Sequence, residues 1–165
     1  MGVCDDTVLS ELLARDAPDR TVCPACGSAV DDDLDLVDKY IAAMRHSEPT
    51  RAALAIQVLS EFMGERRAIP PMIALLETAG DAYVLKAAVD ALARFADARA
   101  VPGLRRLILN PDTALVVRAA AVDALAGIGT PDVAPILATV AAHDPAVVVR
   151  ERAQQALDRA SGRDP

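Results

Sequence analysis

Apolar side chains recur along this chain at the three- and four-residue spacing of helices, and one apolar stretch is repeated. The stretch 117–126, which is alanine, valine and leucine apart from Arg118 and Asp123, has counterparts upstream and downstream, each with a leucine in the matching place. These residues, called here the repeat leucines, are spaced by 33, 33 and 32 residues: Leu59, Leu92, Leu125 and Leu157. A fixed period of this length indicates stacked structural units, none of which could bury its apolar face alone.

Turn-forming residues divide the repeats into predicted helices. Proline, acidic and hydroxyl residues mark the helix starts, and Asp31, Ser47, Asp81 and Thr130 are the expected caps. The short connections between helices predict antiparallel neighbours and therefore helical hairpins. Four hairpins fit the chain, at about 33–63, 67–96, 98–127 and 131–160. The sequence therefore predicts an all-α solenoid.

Three motifs in the second half of the chain resemble HEAT repeats, specifically the short bacterial type of phycobilisome-lyase-like proteins. They are helix openings with an early proline, turns that contain Asn or Asp with Pro, and a run Val-Arg-x-x-Ala-x-x-x-Leu. The openings are 101–104 and 134–137, the turns are 110–112 and 144–145, and the runs end at Leu125 and Leu157. The resemblance covers roughly 33–160 and implies a right-handed α-solenoid that acts as a protein-binding scaffold. Some relatives attach or remove bilin chromophores, but the shared motifs carry none of that chemistry.

The segment before the repeats has its own character. Residues 1–50 carry eleven acidic and four basic side chains, which accounts for the whole formal charge of −7. A short apolar-faced helix is expected at 8–15, followed by a turn that contains Cys23 and Cys26. We therefore expect residues 1–32 to cap the first hairpin, 33–160 to form the repeat domain and 161–165 to fray.

Composition narrows the possible partners. An acidic or neutral surface with only 2% aromatic residues is a poor match for nucleic acid. No apolar run is long enough to span a membrane, and the N-terminus lacks the pattern of a signal peptide. Three cysteines in such a chain favour the reducing cytoplasm over a disulfide framework. We expect a cytoplasmic protein, monomeric or homodimeric, whose partner is another protein.

Basic side chains recur near the starts of the second helices. Lys86, Arg118 and Arg150 each follow closely on an aspartate. In HEAT-like repeats such pairs resemble a ladder in which the base reaches an acid or the carbonyl groups of a neighbouring turn. The resemblance implies this structural role, and a substrate-binding basic row is the alternative.

Polar side chains also recur two positions before and after the repeat leucines. Residues four apart share one helix face, and second helices line the inner surface of a solenoid. The hypothesis is a partner-binding strip, and the alternative is the ordinary solvated face of amphipathic helices. Gly127 leaves a gap in this strip, whose predicted binding residues are Gln57, Glu61, Asp90, Arg94, Asp123, Gln155 and Arg159.

The Cys23-Pro24-Ala25-Cys26-Gly27 turn is the motif with the clearest chemistry. Two thiolates at this spacing match the knuckles that hold structural zinc, which needs four ligands. Cys4 and His46 are the candidate third and fourth ligands, with Asp19, Asp31 or a ligand from a partner protein as substitutes. Alternatively, two chains could each donate Cys23 and Cys26 to a shared Cys₄ site. Reduced surface thiols or a redox pair are the alternatives, although the helical context of redox cysteines is absent.

No catalytic constellation accompanies these features. The sequence contains no nucleophile elbow, phosphate-binding loop or His-Glu-x-x-His zinc motif. We therefore expect a non-enzymatic scaffold or adaptor that binds its protein partner on the inner surface. The alternative is an accessory factor, lyase-like or chaperone-like, that serves a cofactor-modified or metalloprotein and uses Cys23 and Cys26.

Overall fold

The computed structural model describes residues 35–162, which contain eight α-helices and no strand. The helices form consecutive antiparallel pairs, so the four predicted hairpins are present as α1/α2, α3/α4, α5/α6 and α7/α8. Their bounds are α1 Leu36–Ala43, α2 Pro49–Gln57, α3 Ile69–Thr78, α4 Ala82–Phe95, α5 Val101–Leu109, α6 Leu115–Ile128, α7 Val133–His143 and α8 Val147–Ala160.

Side-chain hydrogen bonds cap some helices at the predicted residue, whereas other helices begin at a different residue from the one predicted. The backbone N–H groups of Tyr83 and Val84 donate to Asp81 Oδ1 at 2.8 and 3.2 Å, so the predicted cap of α4 is confirmed. Helix α1 begins after Asp35, whose Oδ1 accepts from Asp38 N at 2.9 Å. The aspartate run at 31–33, expected to open this helix, lies outside the described residues.

Two predicted caps were wrong. Glu48, not Ser47, occupies the cap position of α2, because Pro49 takes the first helical position. Thr130 does not cap α7, which begins at Val133 after Asp132 without a side-chain capping bond. The Thr130 carbonyl accepts from Val133 N at 2.9 Å, so backbone geometry makes this turn.

The end of α2 departs from regular α-helix. Residues Val58–Phe62 form a π-helical turn, and the following chain turns back so that Glu65 N donates to the Leu59 carbonyl at 2.8 Å. Gly64, with φ 60°, completes the reversal, because glycine adopts this left-handed conformation without strain. The wider turn places Phe62 on the surface with 80% of its area exposed.

The helices pack in two layers around one continuous core. The second helices of the hairpins, α2, α4, α6 and α8, approach one another more closely than the first helices do. Buried alanines such as Ala88, Ala121 and Ala153 permit this approach. In the other layer Gly103 of α5 lies against Leu76 of α3, where an added Cβ would come within 2.8 Å of Leu76 Cδ1.

The closer spacing of the second helices places them on the inner side of the array. All eight helices therefore belong to an α-solenoid, and the repeat leucines Leu59, Leu92 and Leu125 are fully buried in its core. The predicted helix at 8–15 and the division into cap, repeat domain and tail depend on residues outside 35–162 and stay predictions.

Candidate functional site

The predicted strip residues lie on the inner surface, along the second helices. Gln57, Asp123 and Gln155 are exposed, and Asp90 is half-buried. Within the strip the structure brings together two residues of neighbouring hairpins, because Arg94 Nη1 lies 2.7 Å from Glu61 Oε1. This ion pair joins the strip across the first two hairpins.

Most charges of the strip are compensated. Lys86 Nζ lies 2.6 Å from Asp90 Oδ2 on α4. Arg152 Nη1 lies 2.5 Å from Asp123 Oδ2, which joins α8 to α6. Because these side chains are about half exposed, such pairs contribute little to stability. They leave a strip that is polar and nearly neutral.

Arg152 was missed by the sequence reasoning although it belongs to the strip. It lies five residues before the repeat leucine Leu157, a position that alanine occupies in the two preceding repeats (Ala87 and Ala120). A base at a position that is otherwise alanine was the available signal.

An exposed apolar row accompanies the strip and was also missed. Tyr83, Val116 and Val148 precede Asp90, Asp123 and Gln155 by seven residues, so each shares a helix face with its strip residue. Together with two neighbouring residues they form the apolar ridge, whose members are between 47% and 55% exposed: Tyr83, Leu115, Val116, Val147 and Val148. The starts of α4, α6 and α8 each contain a run of apolar residues. One residue of each run faces the core and is buried, as Val117 is.

The edge formed by the turns within the hairpins holds a buried arginine. Arg118 Nε lies 3.0 Å from Asp144 Oδ2, and Nη2 lies 3.2 Å from Oδ1, in the turn of the next hairpin. Arg118 Nη1 also donates to the carbonyls of Pro111 and Thr113 in its own turn. Arg150 Nη1 likewise donates to the carbonyls of Asp144 and Pro145. The predicted ladder is therefore present in the third and fourth hairpins.

The family described as HEAT repeats matches residues 37–121 and, in an overlapping second match, residues 69–158. The chain belongs to the HEAT-repeat family. No curated protein is similar enough to this HEAT-repeat chain to count as a match. The narrower resemblance to phycobilisome-lyase-like members stays a prediction.

Lys86 does not join the HEAT ladder, which corrects the sequence-based prediction. Counted back from the repeat leucines, Arg118 and Arg150 stand at the seventh position, whereas Lys86 stands at the sixth. One residue rotates a helical side chain by about 100°, so Lys86 faces the strip and pairs with Asp90. Leu85 occupies the ladder position of α4 and packs against the core.

The predicted zinc ligands fall on both sides of the described boundary. Cys4, Cys23 and Cys26 lie outside residues 35–162, so the zinc site stays a prediction. His46 is buried, and its Nδ1 accepts from Glu48 N at 2.9 Å, so a metal would have to bind through Nε2. Between residues 35 and 162 no three His, Cys, Asp or Glu side chains are grouped to hold a metal ion.

The HEAT hairpins contain no candidate membrane span. Within the described part of the chain, no helix is both long enough and apolar enough to cross a bilayer.

Proposed function

We propose that this HEAT-repeat protein is a non-enzymatic scaffold that binds a segment of a partner protein along its inner surface. The apolar ridge carries the proposal. Five apolar side chains, about half exposed, lie on successive second helices, and the polar strip follows them on the same faces. Exposed apolar residues that form a row, and are not scattered singly, mark interaction surfaces.

The arrangement favours an amphipathic partner. Apolar side chains of the partner would cover the ridge, of which Val116 and Val148 are members, and its polar side chains would face the strip. Arg94 is neutralised by Glu61, and Arg152 is neutralised by Asp123. The strip therefore favours a partner that forms hydrogen bonds with it over a partner of one charge sign. HEAT repeats commonly serve as protein-interaction scaffolds, which supports the proposal.

Site-specific photo-crosslinking in the native host tests this function. A photoreactive amino acid replaces Val116 on the ridge, Gln57 in the strip, or Ala138 of α7 as the control. All three residues are exposed, so the replacements leave the core intact. We expect one shared protein adduct from positions 116 and 57 and none from position 138.

Adducts from position 138 alone, or no adduct from either inner position, would contradict the proposal. Circular dichroism of each variant establishes that its helices remain folded. An adduct shared by positions 116 and 57 identifies the partner by mass spectrometry.

A further inference from the structure

The contacts between successive hairpins differ in a regular way at the edge formed by the turns. Two sequence positions determine each contact. The ladder arginine lies seven residues before the repeat leucine of its own hairpin, and its acidic partner lies thirteen residues before the repeat leucine of the next hairpin. The first contact has neither (Ala52, Ala79), the second has the acid alone (Leu85, Asp112), and the third has both (Arg118, Asp144).

The third contact shows what these positions bind when both are present. The Arg118 guanidinium reaches both carboxylate oxygens of Asp144 and two turn carbonyls, as described above. The Arg118 and Asp144 side chains are only 6% and 3% exposed, so a guanidinium that makes four hydrogen bonds fills this contact. Burial of an ion pair is tolerated only when its donors and acceptors are satisfied in this way.

The second contact is open. Its cleft has a volume of about 390 Å³, and Leu85, Asp112, Ala79 and Gly80 are among its lining residues. Asp112 is exposed, and its carboxylate has no hydrogen-bond or ion-pair partner within residues 35–162. The cleft thus retains the acid of the ladder while a leucine stands where the arginine would be.

We propose that this cleft binds an arginine side chain supplied by a partner protein. The Asp112 carboxylate accepts two parallel hydrogen bonds from the guanidinium, and turn carbonyls of the 79–80 segment accept from its remaining N–H groups, as Pro111 and Thr113 do for Arg118. Arginine fits better than lysine because its planar fork can satisfy a carboxylate and carbonyls together. Leu85 supplies an apolar wall for the methylene groups.

Three further lining residues bear on this assignment. Arg106 also lines the cleft, but its Nη1 lies 2.7 Å from Glu77 Oε1, so its charge is already compensated. Ala82 and Ala114 line the cleft too, and each immediately precedes a member of the apolar ridge. A partner on the ridge therefore has the cleft within reach, although the cleft does not require the ridge in order to bind a guanidinium.

The first contact carries no comparable assignment. Its cleft of about 510 Å³ lacks an acid at the thirteenth position. Asp81 lines it, but Oδ1 of that carboxylate is held by two backbone N–H groups of α4.

Amide chemical shifts of the full chain, titrated with the peptide acetyl-Gly-Arg-Gly-amide, test the cleft directly. We expect saturable shifts at the amides of Gly80, Leu85 and Ala114. The matching citrulline peptide, which is neutral, should bind at least about tenfold more weakly because it lacks charge-assisted hydrogen bonds. The Asp112→Asn variant should lose a similar factor for the arginine peptide, and the control Glu151→Gln, an equal charge change at an exposed site on α8, should lose none.

A second variant, Leu85→Arg, supplies the missing guanidinium from within the chain. We expect it to raise the melting temperature and to abolish the peptide-induced shifts. Equal binding of the arginine and citrulline peptides, or undiminished binding by Asp112→Asn, would overturn the proposal even if Leu85→Arg failed to fold. Neither outcome affects the cross-linking test of the inner surface. The proposed cleft and the proposed scaffold function can therefore be rejected independently.

Discussion

Arg118 and Asp144, 26 residues apart in the chain, form an almost wholly buried ion pair between the third and fourth hairpins, with Nε 3.0 Å from Oδ2. The pair replaces water that both groups would otherwise bind, and two turn carbonyls accept from Nη1 of the guanidinium. The contact is accordingly a structural element of the array, in contrast to the exposed pairs of the strip.

Removal of one partner should therefore be costly. Arg118→Ala leaves the Asp144 carboxylate buried without its counter-charge, and we expect a loss of about 3–5 kcal/mol in the free energy of unfolding. Chemical denaturation followed by circular dichroism measures it. Arg106→Ala, which breaks the exposed pair with Glu77, is the matched control and should cost about 1 kcal/mol or less. Equal effects of the two substitutions would mean that burial of the Arg118 pair is energetically unimportant.

A second prediction concerns acid sensitivity at the start of the third hairpin. The Arg99 side chain, hydrogen-bonded to Asp97, lowers the pKa of that carboxyl group from 3.8 to about 2, and the backbone N–H of Arg99 adds to the effect. A carboxyl group whose pKa is lower in the folded state than in the unfolded state stabilises the fold at pH values above its unfolded-state pKa. That contribution is lost as the pH falls through its folded-state pKa. Asp97 should thus stabilise the fold above about pH 4 and cease to do so near pH 2.

Asp97→Asn tests this, because asparagine caps about as well as aspartate and only the charge is removed. We expect the variant to be less stable than the wild type at pH 7 and to converge with it between pH 4 and pH 2, in denaturation curves taken across that range. Asp132→Asn serves as the control, since Asp132 makes no side-chain capping bond. A stability difference for Asp97→Asn that does not change with pH would contradict the charge argument.

Two glycines should respond oppositely to alanine. An added Cβ at Gly103 meets the buried Leu76 side chain at 2.8 Å, so Gly103→Ala should cost about 1–3 kcal/mol through overpacking. Gly127 lies near the end of α6 with nothing within 4 Å of the added carbon. Gly127→Ala should instead stabilise by up to about 1 kcal/mol through helix propensity. Thermal melts of both variants measure these changes in stability. A higher melting temperature for Gly103→Ala would show that α3 and α5 can move apart to make room for the added carbon.

The cysteine turn supplies a prediction about metal content. If Cys23 and Cys26 hold structural zinc, the purified protein should contain about one equivalent of zinc per site after dialysis. A chelator should then lower the melting temperature. The double substitution Cys23→Ser with Cys26→Ser should remove both the metal and the chelator effect, while Cys4→Ser and His46→Gln reveal whether those residues complete the site. Protein that contains no zinc when purified without chelator, and gains no stability from added zinc, would remove the zinc hypothesis.

The sequence was sufficient for the helical hairpins because their signals are local and repeated. Asp81 caps α4 from the adjacent position, and the 33-residue period aligned the buried leucines without any knowledge of their neighbours. The ladder role of Arg118 followed from its spacing to Asp112 and from the family resemblance. Its actual acidic partner, Asp144, belongs to the next repeat.

What the sequence did not reveal depends on rotation and on contact between repeats. Lys86 follows its aspartate almost as Arg118 does, but its distance to the repeat leucine turns it toward the strip. The apolar ridge was hidden because Val116 and Val117 are chemically alike, and only packing decides which of them is buried. The cleft beside Asp112 is open because the Leu85 side chain does not fill it, and the repeat period carries no information about such a gap.

The unequal contacts at the turn edge also have a mechanical consequence. In a one-dimensional stack each neighbour contact sets its own resistance to bending. The guanidinium of Arg118 joins the last two hairpins at this edge, whereas no ion pair of this kind crosses the clefts beside Ala52 and Leu85 in the described part of the chain. We therefore expect the turn edge to open more readily at these two clefts than at Arg118, and an arginine bound beside Asp112 should close the second of them.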